Sequence, residues 1–245
     1  MTQERLLTDV PTDRLTNLQS CIDQVRTAVA DAAVSVGRQP EEVTIVAVSK
    51  TVDRTAIEAA FALGLHHFGE NRVQDASRKF AEPLPAGSVL HLIGQLQSNK
   101  AKAAAALFDV IESVDRPSLI DALEKEAERR GAIISVLLQV NIAREPQKAG
   151  CSPESASDLM ARLARSPWLQ PHGLMTIAPL VADPEEVRPV FSGLRTLRDE
   201  LQREQPSIDL GTLSMGMSDD FRVAVREGAT SVRIGRAIFG HFAQH

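Results

Sequence analysis

The sequence predicts a single (β/α)8 barrel of the α/β class, and three observations support this prediction. Strand-like apolar segments alternate with segments of helical periodicity along most of the 245 residues. Eight such units follow one another, which fits the smaller members of this architecture. An additional segment of helical spacing at 13–36 precedes them and ends at Gly37, so we expect an extra N-terminal helix.

The elements are expected in a regular order. The predicted strands are 43–49, 65–68, 88–93, 109–113, 133–140, 172–177, 209–214 and 231–234. The helices that follow them are predicted at 54–63, 70–81, 98–107, 117–130, 153–165, 184–204, 218–226 and 236–242. This alternation indicates parallel strands joined by helices. An open doubly wound sheet is the alternative, but it usually has fewer strands and a Gly-x-Gly-x-x-Gly turn, which does not follow the first strand here.

The composition is that of an ordinary soluble globular protein, with 43% hydrophobic residues, 24% charged residues and a formal net charge of -5. No basic stripe favours a nucleic-acid partner, and no apolar run reaches the roughly 18 residues of a membrane span. The first residues lack the apolar core of a signal peptide. We therefore expect a cytoplasmic protein with one domain, residues 1–245, of which 1–12 form a flexible tail.

Cysteine and histidine give no sign of a metal site or a disulfide framework. Cys21 and Cys151 are isolated, and no metal-ligand spacing connects them to other residues. The histidines near strand starts are expected to pack or to cap rather than to bind a ligand; they are His66, His67, His91 and His172. We therefore predict no metal.

Lys50 is the most informative single residue, because it ends the strand 43–49. A lysine at the point where a strand leaves the core is partly desolvated, and its neutral amine is a nucleophile. The natural use of such an amine is a Schiff base with an aldehyde, above all pyridoxal phosphate. The alternative is a solvated and inert lysine at a strand end.

The ends of the last two strands resemble a phosphate cradle. The stretch 214–218 contains the small residues Ser214, Gly216 and Ser218, which let backbone N–H groups approach an anion, and Ser218 is expected to cap the next helix. Gly235 and Arg236 open the final helix, whose N–H groups favour an anion. The loops after strands seven and eight are the usual phosphate site of such barrels. The alternative is that Ser218 only caps a helix and Gly235 only makes a turn.

Arg233 is expected to point into the barrel, because strand alternation gives it the same face as Ser231 and Gly235. A buried arginine needs a partner. That partner is either a carboxylate from another strand end or a ring nitrogen of a ligand. A permanent guanidinium charge beside a pyridine nitrogen would keep that nitrogen unprotonated and make the ring a weaker electron sink.

These positions lie in stretches that resemble the pyridoxal phosphate homeostasis proteins, the YggS/PROSC-like family. The matching stretches occur in order at 47–51, 68–71, 91–100, 173–176, 213–220 and 232–240. The resemblance implies a fold-type III barrel similar to the N-terminal domain of alanine racemase, with pyridoxal 5'-phosphate on Lys50. It implies that Arg233 faces the pyridine nitrogen and that Asn71 lies close to the ring. The phosphate would be held by Ser214, Ser218, Gly235 and Arg236.

Two positions depart from the commonest pattern of that family. Arg72 stands where the family often has a tyrosine, which leaves any contact from this position open. Arg236 stands where a small hydroxyl residue is frequent. Its charge either strengthens phosphate binding or points outward and leaves only the backbone N–H for the ligand.

Two functions fit this cofactor. Racemisation needs an acid/base group on each face of the substrate carbon; in the alanine racemase family the second group is a tyrosine of a separate domain, and this sequence contains no tyrosine. We therefore predict a non-catalytic protein that binds, buffers and delivers pyridoxal phosphate, with apo-enzymes that depend on this cofactor as partners. A pyridoxal phosphate-dependent racemase or related enzyme is the alternative. A sugar-phosphate isomerase is a weaker one, since it gives Lys50 no aldehyde. We expect a monomer or a weak dimer.

Overall fold

The computed structural model describes residues 10–240 and residue 242. Residues 1–9, most of the predicted flexible tail, lie outside the described residues. Val10 is buried, and the first helix begins at Thr12. The N-terminal helix predicted from the spacing at 13–36 is therefore present, and it packs against the last two helices of the chain.

Eight strands alternate with helices in the described part of the chain. The strands are β1 (Thr44–Val48), β2 (His67–Glu70), β3 (Val89–Leu92), β4 (Val110–Val114), β5 (Ile134–Gln139), β6 (Leu169–Met175), β7 (Thr212–Ser214) and β8 (Ser231–Ile234). The helices are α1 (Thr12–Val34), α2 (Arg54–Ala62), α3 (Val73–Lys79), α4 (Ala101–Leu107), α5 (Pro117–Arg130), α6 (Ala156–Arg165), α7 (Arg188–Glu204), α8 (Phe221–Arg226) and α9 (Arg236–Phe239).

The strands form a closed parallel barrel in sequence order, in which β8 pairs with β1. The barrel prediction is confirmed, and the open doubly wound sheet is excluded. Several boundaries differ from the predicted ones; for example, β7 begins at Thr212 and not at 209, and α8 begins at Phe221 and not at 218. The end of β2 and the start of β6 have a clear cause. β2 extends to Glu70, because the N–H group of Ile93 continues the ladder to its carbonyl oxygen, so α3 begins only at Val73. β6 begins at Leu169, because the strand runs through Pro171 opposite Val136.

The main hydrophobic core lies between the strands and the surrounding helices. It contains fully buried residues from both layers, such as Phe68 of β2, Ile57 of α2 and Leu123 of α5. The barrel interior is different, because it combines a few apolar side chains with buried polar ones. The buried polar and charged residues of β3, β4, β7 and β8 are His91, Glu112, Ser113, Ser214, Ser231 and Arg233.

Within residues 10–240 and 242, none of the helices combines the length and the apolar character that crossing a bilayer requires. Within the same residues, no group of three or more His, Cys, Asp or Glu side chains is placed to hold a metal ion.

Candidate cofactor site

Lys50 lies at the rim of the barrel, in the turn between β1 and α2. The N–H group of Ser49 donates to the carbonyl oxygen of Gly69 (3.0 Å), and Val52 N–H donates to the carbonyl oxygen of Ser49 (3.2 Å), so the turn is tied to β2. Alternation along β1 gives Lys50 the same face as Val48, which lies at the barrel mouth against Gly235. Lys50 is exposed, so the partial desolvation expected from the sequence is not found.

The two strand ends beside this turn are fixed by a buried ionic cluster. Glu70 is fully buried; its Oε1 accepts from Ser49 Oγ at 2.8 Å and from Lys79 Nζ at 2.7 Å. Lys79 also donates to the carbonyl oxygen of Ser49 at 2.6 Å. The cluster faces helix α3 and holds the ends of β1 and β2 together. Lys79 shows no signal of this role in the sequence, because its partners are 30 and 9 residues away.

Asn71 follows β2 and is held by a close backbone approach. A Cβ atom at position 94 would lie only 2.1 Å from the carbonyl oxygen of Asn71, so only glycine fits there. Asn71 is half-buried and lines a groove of about 410 Å³ together with Arg72 and Gln95. Among the residues that the structure describes, its side chain amide has no hydrogen-bond partner. Asn71 is therefore available to a ligand at the barrel mouth.

Arg233 is buried inside the barrel, as predicted. Its guanidinium donates from Nη1 to Ser214 Oγ at 2.5 Å and from Nη2 to the carbonyl oxygen of Thr176 at 2.7 Å. The carboxylate of Glu112 lies 3.9 Å from Nη1. Of the two partners that the sequence left open, the protein itself provides the carboxylate. Burial lowers the pKa of Arg233 from its ordinary value, whereas the charges of Glu112 and Asp220 oppose this change.

Glu112 of β4 is the centre of the polar interior. Its Oε1 is hydrogen-bonded to His91 Nδ1 at 2.8 Å, and its Oε2 accepts from Ser214 Oγ at 2.5 Å. Burial raises the pKa of Glu112, but His91, the charge of Arg233 and the Ser214 hydroxyl outweigh burial and lower it. Glu112 was not among the predicted site residues. The one feature of the sequence that could have indicated its role is a single carboxylate in the middle of the short apolar strand β4.

Ser214, a predicted phosphate ligand, has its hydroxyl group engaged inside the barrel. Ser214 is fully buried, and its Oγ accepts from Arg233 while it donates to Glu112. A hydroxyl has one proton to donate, and here that proton is used. Ser214 therefore orients Arg233 and does not face the loop that follows β7.

Ser218 also differs from its predicted role as a helix cap. Helix α8 begins at Phe221, and the carboxylate of Asp220 accepts from Met217 N–H at 2.6 Å. Asp220, and not Ser218, is therefore the N-cap residue of α8. The hydroxyl of Ser218 instead accepts a long hydrogen bond, 3.4 Å, from the N–H group of Ala237 in α9. Ser218 therefore connects the loop after β7 to the start of the last helix.

The two closing loops contain backbone N–H groups without partners. In the described residues, no hydrogen bond is formed by the N–H groups of Gly216, Ser218, Gly235 and Arg236. Gly216 has φ +92°, and a Cβ atom there would approach Ala224 to 2.6 Å. The loop is therefore restricted to glycine at this position, and its free N–H groups are suited to an anion.

The side chain of Arg236 points away from this cradle. It is exposed and forms an ion pair with Asp219. Of the two orientations left open by the sequence, the outward one is present, so Arg236 offers its backbone N–H to the site.

The sequence comparisons give related proteins over most of the chain. A family model described as alanine racemase, N-terminal domain, matches residues 25–242. A pyridoxal phosphate homeostasis protein of Aquifex aeolicus is 40% identical over 219 residues, which cover 89% of this chain and 96% of the relative. A protein of the same name from Escherichia coli K12 is 41% identical over 229 residues, with 89% and 93% covered.

The structural comparison agrees with the sequence comparison. PipY of Synechococcus elongatus PCC7942, in a structure with PLP bound, has a TM-score of 0.76 and 40% identity, and the match covers 86% of this chain and all of that one. An alanine racemase of Corynebacterium glutamicum has a TM-score of 0.63 at 18% identity, over 89% of this chain and 60% of that one. The second likeness shows a shared barrel fold only.

Replacing Glu112 by alanine is expected to lower the free energy of unfolding by about 3–5 kcal/mol, because Arg233 would remain buried without its carboxylate. Urea denaturation at neutral pH measures this change. Asp121→Ala is the matched control, since it removes an exposed carboxylate that pairs with Arg162, and it should change stability far less. Equal effects of the two substitutions would contradict the central role of Glu112.

Proposed function

The chain belongs to the family of pyridoxal phosphate homeostasis proteins, and we propose that it holds pyridoxal 5'-phosphate as a Schiff base on Lys50 and buffers or delivers it. We propose further that it has no catalytic turnover of its own. The observation that supports this most is the exposed amine of Lys50 at the mouth of a barrel whose interior contains Arg233. The PLP-bound structure of PipY supports the choice of cofactor.

The residues at the barrel mouth fit the parts of this cofactor. When bound, it supplies an aldehyde, with which the amine of Lys50 condenses to an imine with loss of one water. The free N–H groups of Gly216, Ser218, Gly235 and Arg236 are suited to a phosphate. Ser218 also keeps its own hydroxyl proton for a phosphate oxygen, since within residues 10–240 and 242 its hydroxyl forms one hydrogen bond, which it accepts.

Arg233 is assigned to the pyridine nitrogen in this proposal. A guanidinium has five N–H donors, and Ser214 and Thr176 use two of them. The others remain for a ligand above the barrel interior. Because arginine keeps its proton at neutral pH, it can donate a hydrogen bond to the ring nitrogen without protonating it. An unprotonated ring withdraws electrons more weakly than a protonated one, so it stabilises a substrate carbanion less.

The exposure of Lys50 fits the delivery of a cofactor. An imine is released when water or another amine attacks it, and both must reach the bond. The sequence contains no tyrosine, so no tyrosine can act as a second acid/base group. We therefore retain the racemase only as the alternative to be tested.

Replacing Lys50 by arginine is expected to abolish the visible absorbance band of the protein incubated with pyridoxal phosphate, because arginine keeps the positive charge but forms no imine under these conditions. Lys102→Arg, at an exposed site on α4, is the matched control and should keep the band. Borohydride reduction and peptide mapping should place the label on the peptide that contains Lys50. A label on any other lysine would overturn the assignment.

Racemase activity is expected to be undetectable in the protein loaded with pyridoxal phosphate, for L- and D-amino acids assayed by chiral chromatography. Transfer of the cofactor to an apo-enzyme, followed by the recovery of that enzyme's activity, should be observed in the same preparation. Steady racemisation that disappears in Lys50→Arg would favour the enzyme instead of the carrier.

Arg236→Ala is expected to leave the retention of pyridoxal phosphate nearly unchanged, because the side chain pairs with Asp219 in solvent. Arg236→Pro removes the backbone N–H at the first position of α9, a position that accepts proline in helices; the helical conformation of Gly235 before it would have to adjust. It should weaken retention by about 1–3 kcal/mol, as expected for a lost hydrogen bond to a charged group. Equilibrium dialysis measures both. A loss as large in Arg236→Ala as in Arg236→Pro would show that the guanidinium reaches the phosphate.

A further inference from the structure

An unbroken series of hydrogen-bonded side chains crosses the barrel interior and ends at Arg233. His67 Nδ1 lies 3.0 Å from His91 Nε2, and His91 Nδ1 lies 2.8 Å from Glu112 Oε1. The second oxygen of Glu112 accepts from Ser214 Oγ at 2.5 Å, and Ser214 Oγ accepts from Arg233 at 2.5 Å. We call these five residues the interior chain.

The interior chain connects solvent at one end of the barrel to the candidate site at the other. His67 is the first residue of β2 and is half-buried. It lines an open pocket of about 420 Å³ between the starts of β1 and β2, together with Val43 and Leu65. His91 and Glu112 are buried. A proton from solvent can therefore enter the interior chain at His67.

The proton positions along the interior chain are linked. If His91 is neutral and donates from Nδ1 to Glu112, its Nε2 is an acceptor, and His67 must donate from Nδ1. Nε2 of His67 then accepts a proton from the pocket. When it does, the proton on Nδ1 of His67 can pass to Nε2 of His91. The result is an imidazolium next to the carboxylate of Glu112, although His91 itself is buried.

We propose that the pair His67 and His91 is a proton-sensitive element that acts on Arg233 through Glu112 and Ser214, and so makes the retention of an anionic cofactor depend on pH. This inference rests on the proposed function only for the identity of the ligand. Glu112 and Ser214 are positioning residues in it, since they act through Arg233.

The direction of the effect follows from the charges. With a neutral histidine pair, the carboxylate of Glu112 compensates Arg233 alone. After uptake of one proton, the same carboxylate is shared between Arg233 and the imidazolium of His91. The positive potential at the inner end of the site rises, so an anionic ligand is held more tightly at low pH. By linkage, binding of the anion must also favour proton uptake by the pair.

The pH range is set by His67 and the groups around it. Burial lowers the pKa of His67 below its ordinary value of 6.5, the charges of His91 and His66 lower it further, and Glu112 opposes them. Proton uptake by His67 is therefore expected on the acid side of 6.5. The other charged groups near the two ends of the interior chain are Arg26 and Glu41, which line the pocket, and Asp220 near Arg233.

The first test uses the protein without cofactor. NMR spectra recorded from pH 8 to pH 5 should show the ring resonances of His67 and His91 changing together, with the side-chain 15N resonance of Arg233 following the same midpoint. Glu112→Gln keeps the shape of the side chain but removes its charge, so the midpoint should move to lower pH and the response of Arg233 should be lost. An Arg233 resonance that ignores the titration would overturn the inference, whether or not the protein binds pyridoxal phosphate.

The second test measures the dissociation of pyridoxal phosphate at pH 5.5 and pH 7.5 by equilibrium dialysis. The dissociation constant at pH 7.5 divided by that at pH 5.5 gives a ratio for each protein. This ratio should be larger in wild type than in His67→Gln by about fivefold or more, the usual size of a coupling between two sites. His172→Gln is the matched control, because His172 contacts Ser135 outside the interior chain, and it should behave as wild type. Equal ratios in wild type and His67→Gln would mean that the interior chain is only structural.

Discussion

The buried charge of Arg233 is the constraint on which the candidate site depends. A guanidinium with 3% exposure is tolerated inside a barrel only if a carboxylate and good acceptors surround it. Glu112, Ser214 and the carbonyl oxygen of Thr176 meet this need, and they come from β4, β7 and the end of β6. Three strands that are distant in sequence are therefore held at the spacing that one cation dictates. Because the ends of these strands form the barrel mouth, the spacing of the residues there is fixed as well.

A second cluster of charged and polar side chains fixes the opposite side of the site, at the ends of β1 and β2. It lies on the outer face of these strands. Glu70, Ser49 and Lys79 lie toward α3, where they tie the ends of β1 and β2 to a helix. Lys50 and Asn71 are the next residues along these two strands and alternate to the inner side. The backbone of Lys50 and Asn71 is thus fixed by the outward-facing Ser49 and Glu70, while the Lys50 side chain remains exposed.

The sequence was sufficient for the barrel because the evidence for the barrel is local. The periodicities of residues 43–49 and 54–63 identify β1 and α2 without any knowledge of tertiary contacts, and Lys50 follows from the end of that strand. The helix cap predicted at Ser218 was wrong, and the contacts of the Ser214 hydroxyl were not foreseen, because both serines have long-range partners. Glu112 lies 102 residues from Ser214 in the chain, and Ala237 lies 19 residues from Ser218. Nothing in the spacing of either serine indicates which way its hydroxyl points.

The same polar interior also bears on the choice between a carrier and an enzyme. Catalysis on an amino acid needs a strong electron sink and a second acid/base group, whereas a carrier needs a stable but reversible bond. An arginine that is held by Glu112 and cannot give up its proton provides a donor without protonating a ring. In the proposed Schiff base, an exposed lysine would leave the bond open to water and to competing amines, which suits exchange of the cofactor. This arrangement results from the way that the barrel separates the buried cation of Arg233 from the accessible Lys50.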